Sequence, residues 1–165
     1  MDPRVAPLAA IFQLNTDLLL NALEGLSDDE ARERLAAGGN SVTFVAAHLT
    51  DSRHFLAARL GHPLDNPLSR YLADAKGFDD IREWPALEEV RQAWRSIGPH
   101  LHSALDAVGE AELRRPNAHR FPLGDSTPLG MIAFLAQHDS YHLGQVAFLR
   151  RQLGRPAMSY TRAAG

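Results

Sequence analysis

The 165 residues include 45% apolar and 22% charged side chains, a net charge of −3 and no cysteine. Those values suit one globular domain spanning 1–165. They give no basic footprint for nucleic acid, and they exclude disulfides, a protein thiolate nucleophile and cysteine-based zinc sites. The opening Met1-Asp2-Pro3-Arg4 lacks the basic-then-apolar layout of a signal peptide, and no apolar run is long enough for a bilayer, so no membrane association and a cytoplasmic location are expected.

Helical periodicity runs through nearly the whole chain. A first helix is predicted from about Leu8 to Leu23, with Leu8, Ile11, Phe12, Leu18, Leu19 and Ala22 on one side and Asn15 interrupting that stripe. Gly25 closes it. Ser27-Asp28-Asp29-Glu30 reads as the N-cap and capping box of a short helix through Leu35, ended by Gly38-Gly39-Asn40. Ser41 caps a second long helix over about 42–60, whose inward side should hold Val45, His48, Leu49, Ser52, Phe55, Leu56 and Arg59. Gly61 and Pro63 stop it.

From His62 to Trp84 the pattern dissolves into Pro, Asp, Gly and scattered aromatics. Leu64, Leu68, Tyr71, Leu72, Phe78 and Ile81 make this crossover too apolar for plain disorder, and it should pack over one end of the molecule. Pro85 is expected at the first position of a third helix, in which Leu87, Val90, Trp94, Ile97, Leu101, Leu105 and Val108 recur near heptad spacing. Pro99 should kink it. After a second loop over 109–126, Thr127 caps and Pro128 starts a fourth helix running to Leu153. No segment alternates with period two, and there is no internal repeat. The fold class expected is all-α, a four-helix bundle with long crossover connections.

Eight histidines are present, and most read as bystanders. His62 and His119 fall in proline-containing loops, His54 falls on the outer side of the second helix, and His100 and His102 flank the Leu101 stripe. His138 and His142 differ. Positions i and i+4 lie one above the other on a helix, and this pair belongs to the stripe of Met131, Leu135, Gln145, Val146 and Leu149, so both rings should point into the core. Buried imidazoles without partners are costly, and a shared divalent ion removes that cost. His48, on the inward stripe of the second helix, supplies a third imidazole. Three neutral imidazoles with open positions is a catalytic-type metal arrangement. Zinc is the expected ion and nickel the alternative, since such sites accept several metals and affinity order alone does not fix occupancy.

Phe44-Val-Ala-Ala-His48-Leu-Thr-Asp51 and His138-Asp-Ser-Tyr-His142-Leu-Gly-Gln145 resemble the corresponding segments of the DinB (damage-inducible) family of metal-binding helical bundles, over essentially the whole chain. The resemblance implies a mirror-variant up-and-down topology and a divalent metal held by His48, His138 and His142. It also implies an association with thiol-dependent S-transferases, since relatives include bacillithiol transferases and mycothiol-dependent maleylpyruvate isomerase. Asp139 stands where many of the family have Glu.

An ion held by three neutral imidazoles can lower the pKa of water to ~7 or hold a thiol as thiolate, which is the nucleophile in S-transfer. The residues alone do not choose. The resemblance favours a thiol-dependent S-transferase acting on small electrophiles in stress or detoxification, with a low-molecular-weight thiol as cosubstrate. The alternatives are a metal-dependent hydrolase and a non-catalytic metal-binding stress-response protein. A metalloprotease reading fits poorly, because that chemistry places Glu directly after the first His of His-x3-His, and Asp139 is a methylene shorter.

Asn15, Ser52, Asp139 and Gln145 are the polar residues expected near the triad, Gln145 as the group that orients a ligand imidazole. Gly144 lies mid-helix, where glycine costs ~1 kcal/mol relative to alanine, and a close helix approach is the expected reason. Leu20, Phe134 and Phe148 are apolar residues off the main stripes, and they suggest a homodimer.

Overall fold

Ser41 and Thr127 fix the starts of two long helices. The Ser41 hydroxyl accepts a 3.2 Å hydrogen bond from the Phe44 amide, and that of Thr127 accepts one of the same length from the Gly130 amide, which satisfies donors a helix start leaves free. The computed structural model describes residues 1–73, 79, 81–116 and 121–160. Phe78 and His119 lie outside them. In chain order the elements are α1 (Ala6–Leu23), α2 (Asp28–Arg32), α3 (Val42–Arg59), α4 (Ser69–Leu72), α5 (Leu87–Ala107), α6 (Glu110–Leu113) and α7 (Pro128–Gln152). Among the described residues there is no strand, and no helix is long and apolar enough to cross a membrane.

The long helices α1, α3, α5 and α7 form a four-helix bundle. α3 packs along α5 and α7, and α1 packs along the same two. α1 and α3, consecutive along the chain, therefore face each other across a diagonal. The core is built from Leu19, Leu23, Leu49, Leu56, Leu87, Trp94, Ile97, Leu101, Leu105 and Ile132, all essentially inaccessible. At ~1.5–3 kcal/mol for each such side chain, this packing is what drives the four amphipathic helices together.

Several boundaries and faces differ from the sequence reading. α2 stops at Arg32, short of Leu35, which is exposed. Pro85 lies before the helix rather than at its first position, and Ala86 is the N-cap of α5. The Ala86 amide donates to Glu89 Oε2 at 2.9 Å and the Leu87 amide to Asp28 Oδ1 at 2.8 Å, so a side chain of α2 caps α5. α5 continues through Pro99. Ile11, Phe55 and Arg59, expected inward, are exposed.

His54, expected on the outer side, is buried. The crossover covers it there: its Nδ1 lies 3.0 Å from the Leu64 carbonyl oxygen, Asn66 donates to Asp51 at 2.8 Å, and Leu68 and Tyr71 enter the core. Leu20 and Phe134 pack against this chain's own core, which leaves Phe148 as the exposed member of the three apolar residues read as a dimer surface.

Candidate functional site

The α3–α7 seam brings His48 of α3 together with the His138–His142 pair of α7. One coordinating nitrogen from each of His48, His138 and His142 lies within 4.8 Å of the other two. The ring centroids form a triangle of 5.0, 4.9 and 4.4 Å, every pair meeting edge to face. His48 Nε2 and His138 Nε2 are 3.1 Å apart. Two nitrogen lone pairs repel at that distance unless a proton or a cation lies between them.

A single ion at ~2.0–2.1 Å from each nitrogen would space tetrahedral ligands about 3.4 Å apart, close to the 3.1 Å between His48 Nε2 and His138 Nε2. The donor set is all imidazole, which suits zinc, nickel and copper. Buried His138 Nδ1 has no hydrogen-bond partner among the described residues.

All three rings are half-buried, which corrects the expectation that His138 and His142 point into the core. The buried stripe of α7 runs through Met131, Ile132, Leu135, Ala136, Asp139, Leu143 and Val146, and the two histidines occupy its flank. Burial, then the neighbouring imidazole of His142, lowers His48 below the usual histidine range. The same causes in the same order, with His48 added, push His138 down to about 4. Near neutral pH both rings are therefore uncharged, the form that can donate a lone pair.

Gln145 lies beside the triad. Its Oε1 accepts a 2.7 Å hydrogen bond from His142 Nδ1, which places the proton on that nitrogen and leaves Nε2 as the donor atom. Ser52 instead donates to the His48 carbonyl oxygen at 2.9 Å. Asn15 is buried on α1 and donates to Ser140 Oγ at 3.0 Å. Aromatic rings surround the imidazoles. Phe44 stacks parallel to His48 with Trp84 on its edge, Phe134 leans on His138 with Phe121 behind it, and Tyr141 meets His142 edge on.

Asp139 turns away from the triad and into the bundle. Its Oδ2 accepts from Arg53 Nε at 3.0 Å and from a terminal nitrogen at 2.6 Å, and both side chains are almost wholly buried. The guanidinium also donates to Thr16 Oγ1 at 2.7 Å and to the Phe12 carbonyl oxygen at 2.9 Å, and it lies 3.6 Å from the Trp94 ring centre. One cation thus ties together all four long helices. Burial pushes the Asp139 carboxyl up and the Arg53 guanidinium down, and each is the other's main counterweight. The five N–H donors of a guanidinium all require its protonated form, so Arg53 keeps its charge, and the pair is ionic.

Arg53 was missed in the sequence although its position carried a signal. It falls one helical turn from Leu49 on an apolar face, and Asp139 interrupts the matching face of α7. Opposite charges on two apolar stripes are a pair waiting to be matched.

A family model of the DinB superfamily matches residues 11–146. A Geobacillus kaustophilus protein named "Putative metal-dependent hydrolase GK0616" is 28% identical over 157 residues, covering 89% of this chain and 84% of that protein. Among solved structures, a DinB-like protein from Bacillus cereus superposes with a TM-score of 0.65 at 19% identity, over 88% of this chain and 89% of that one. YfiT from Bacillus subtilis, reported as "a probable metal-dependent hydrolase with an unusual four-helix bundle topology", superposes with a TM-score of 0.68 at 15% identity, over 94% and 91%. The family match includes His48, His138 and His142, and the chain belongs to the DinB superfamily.

Proposed function

We propose that this protein is a divalent-metal-dependent enzyme that hydrolyses small molecules, with His48, His138 and His142 as the metal ligands. The observation that carries the reading is the convergence of three half-buried imidazoles from two helices. An ion held there, zinc first and nickel as the alternative, keeps its full positive charge and supplies a nucleophile near neutral pH by lowering the pKa of water or of a thiol. The names of the Geobacillus and B. subtilis relatives support hydrolysis.

The chain's own residues prepare the site. Gln145 holds His142 in the ligating tautomer, the Arg53–Asp139 pair fixes α3 against α7, and Phe44, Phe134 and Tyr141 pack against the imidazole rings. Asp139 does not serve as a general base, because Arg53 occupies it. Thiol S-transfer is the second reading. The family resemblance supports it, and with no cysteine in the chain the sulfur would come from a small-molecule thiol.

Metal analysis of untagged protein tests the core of the proposal. One divalent ion per chain is expected, lost in His142→Ala while helicity persists; unchanged metal content in that variant rules the triad out. The loaded protein is then assayed on neutral esters and amides, and on an electrophile with and without added low-molecular-weight thiols. Turnover without thiol supports the hydrolase, strict thiol dependence supports the transferase, and no turnover in either assay leaves a metal-binding protein without catalysis.

A further inference from the structure

A groove of about 790 Å³ runs beside the triad, between α7 and the segment linking α2 to α3. Its volume lies within the ~300–1,000 Å³ usual for small-molecule sites. None of its described lining residues carries a formal charge. Leu35, Val45 and Phe148 give it apolar walls, and Leu35 and Phe148 are exposed there. Tyr141 and Gln145 line it too, and both touch His142. The groove and the triad therefore share a wall.

Gly144 forms part of the floor. The sequence reading expected a close helix approach at this position, yet a Cβ here would meet nothing within 4 Å. A mid-helix glycine gives up helix propensity, and no packing among the described residues explains it. A larger side chain at this position would project into the groove next to His142.

We infer that this groove is the subsite for the uncharged, apolar portion of the substrate, an acyl chain or aryl group whose polar end reaches the triad. The inference rests on the metal-enzyme reading above. The absence of charge in the lining disfavours an ionic substituent, whose desolvation no side chain would offset. The open mouth and the bare glycine floor suit a flat or flexible apolar group.

Two probes separate this inference from the reading beneath it. Acetohydroxamate and octanohydroxamate are titrated against zinc-loaded protein, and the neutral fluorophore N-phenyl-1-naphthylamine against metal-free protein. In the wild type the longer hydroxamate should bind at least about tenfold more tightly, which two buried methylenes suffice to produce. Gly144→Leu, a helix-favouring change on an exposed face, should abolish that chain-length advantage, leave acetohydroxamate binding and zinc content unchanged, and weaken the fluorophore by a similar factor. Phe148→Ala should reduce the advantage from the opposite wall, whether or not Gly144→Leu folds. Equal chain-length dependence in wild type and both variants overturns the inference while the metal site stands. Failure of both hydroxamates, with fluorophore binding still sensitive to Gly144→Leu, removes the metal reading and keeps the groove as an apolar site. A wild-type dimer that becomes a monomer in Gly144→Leu by light scattering makes the groove an interface between copies, which also overturns the inference.

Discussion

Gln145 Oε1 accepts a 2.7 Å hydrogen bond from Nδ1 of His142, less than one helical turn away. A group so placed fixes both the tautomer and the ring orientation of a metal ligand, and loss of such partners typically lowers metal affinity ~10–100-fold. Gln145→Leu should show that loss in a chelator competition, with the stability of the metal-free protein close to wild type. Affinity unchanged within the error of the competition would remove Gln145 from the site.

The Arg53–Asp139 pair behaves differently under mutation. Removing one partner of a buried ion pair strands the other charge and costs ~3–5 kcal/mol, whereas replacing both with apolar groups is often near neutral. Arg53→Met should therefore lower the urea midpoint severely, and Arg53→Met combined with Asp139→Leu should recover much of the loss. Additive single effects would show that the two side chains contribute independently.

The metal-free protein should lose stability in mild acid. His138 is held down to about 4, against ~6.5 in an unfolded chain, so between those values the unfolded chain binds a proton that the native one refuses. Stability from this source is fully present above ~6.5 and is lost as pH falls toward 4. His48 is shifted in the same direction and adds to the effect. Urea midpoints should fall between about pH 7 and about pH 4.5, less steeply in His138→Gln. A flat wild-type profile across that window would contradict the assignment. In loaded protein the same protons compete with the metal, so affinity should also fall.

Two glycines of α7 should respond to alanine with opposite sign. At Gly130 an added Cβ would lie 2.6 Å from the Asp125 backbone oxygen and side chain, and overpacking of this kind costs ~1–3 kcal/mol. At Gly144 the space is open, and the gain in helix propensity is up to ~1 kcal/mol. Thermal melts of Gly130→Ala and Gly144→Ala decide this, and a shift of the same sign in both would show that local space does not control the outcome.

Much of the bundle was legible because its signals are local. The Ser27, Ser41 and Thr127 caps, the three-four apolar spacing and the His138–His142 pair all depend on residues within a turn or two of each other. What could not be read locally depends on contacts between elements. His54 is buried because a distant loop folds over it, Asp28 caps α5 from α2, and the triad lies on the flank of α7 because Leu135, Asp139, Leu143 and Val146 take the buried face. Ile11 and Phe55, which their spacing places inward, are exposed because the neighbouring helices pack against another side of α1 and α3. Gln145 was legible from spacing alone, whereas the partner of Asp139 required matching stripes across α3 and α7.

The span between His48 and His138 is 90 residues, and it contains all of α5 and both long connections. During synthesis His48 leaves the ribosome long before its partners exist, and a chain truncated before α7 keeps one imidazole of the three. An ion gripped by all three would act as a clasp that can close only on a nearly finished chain, so metal retention on arrested nascent chains would report when the last helix has docked.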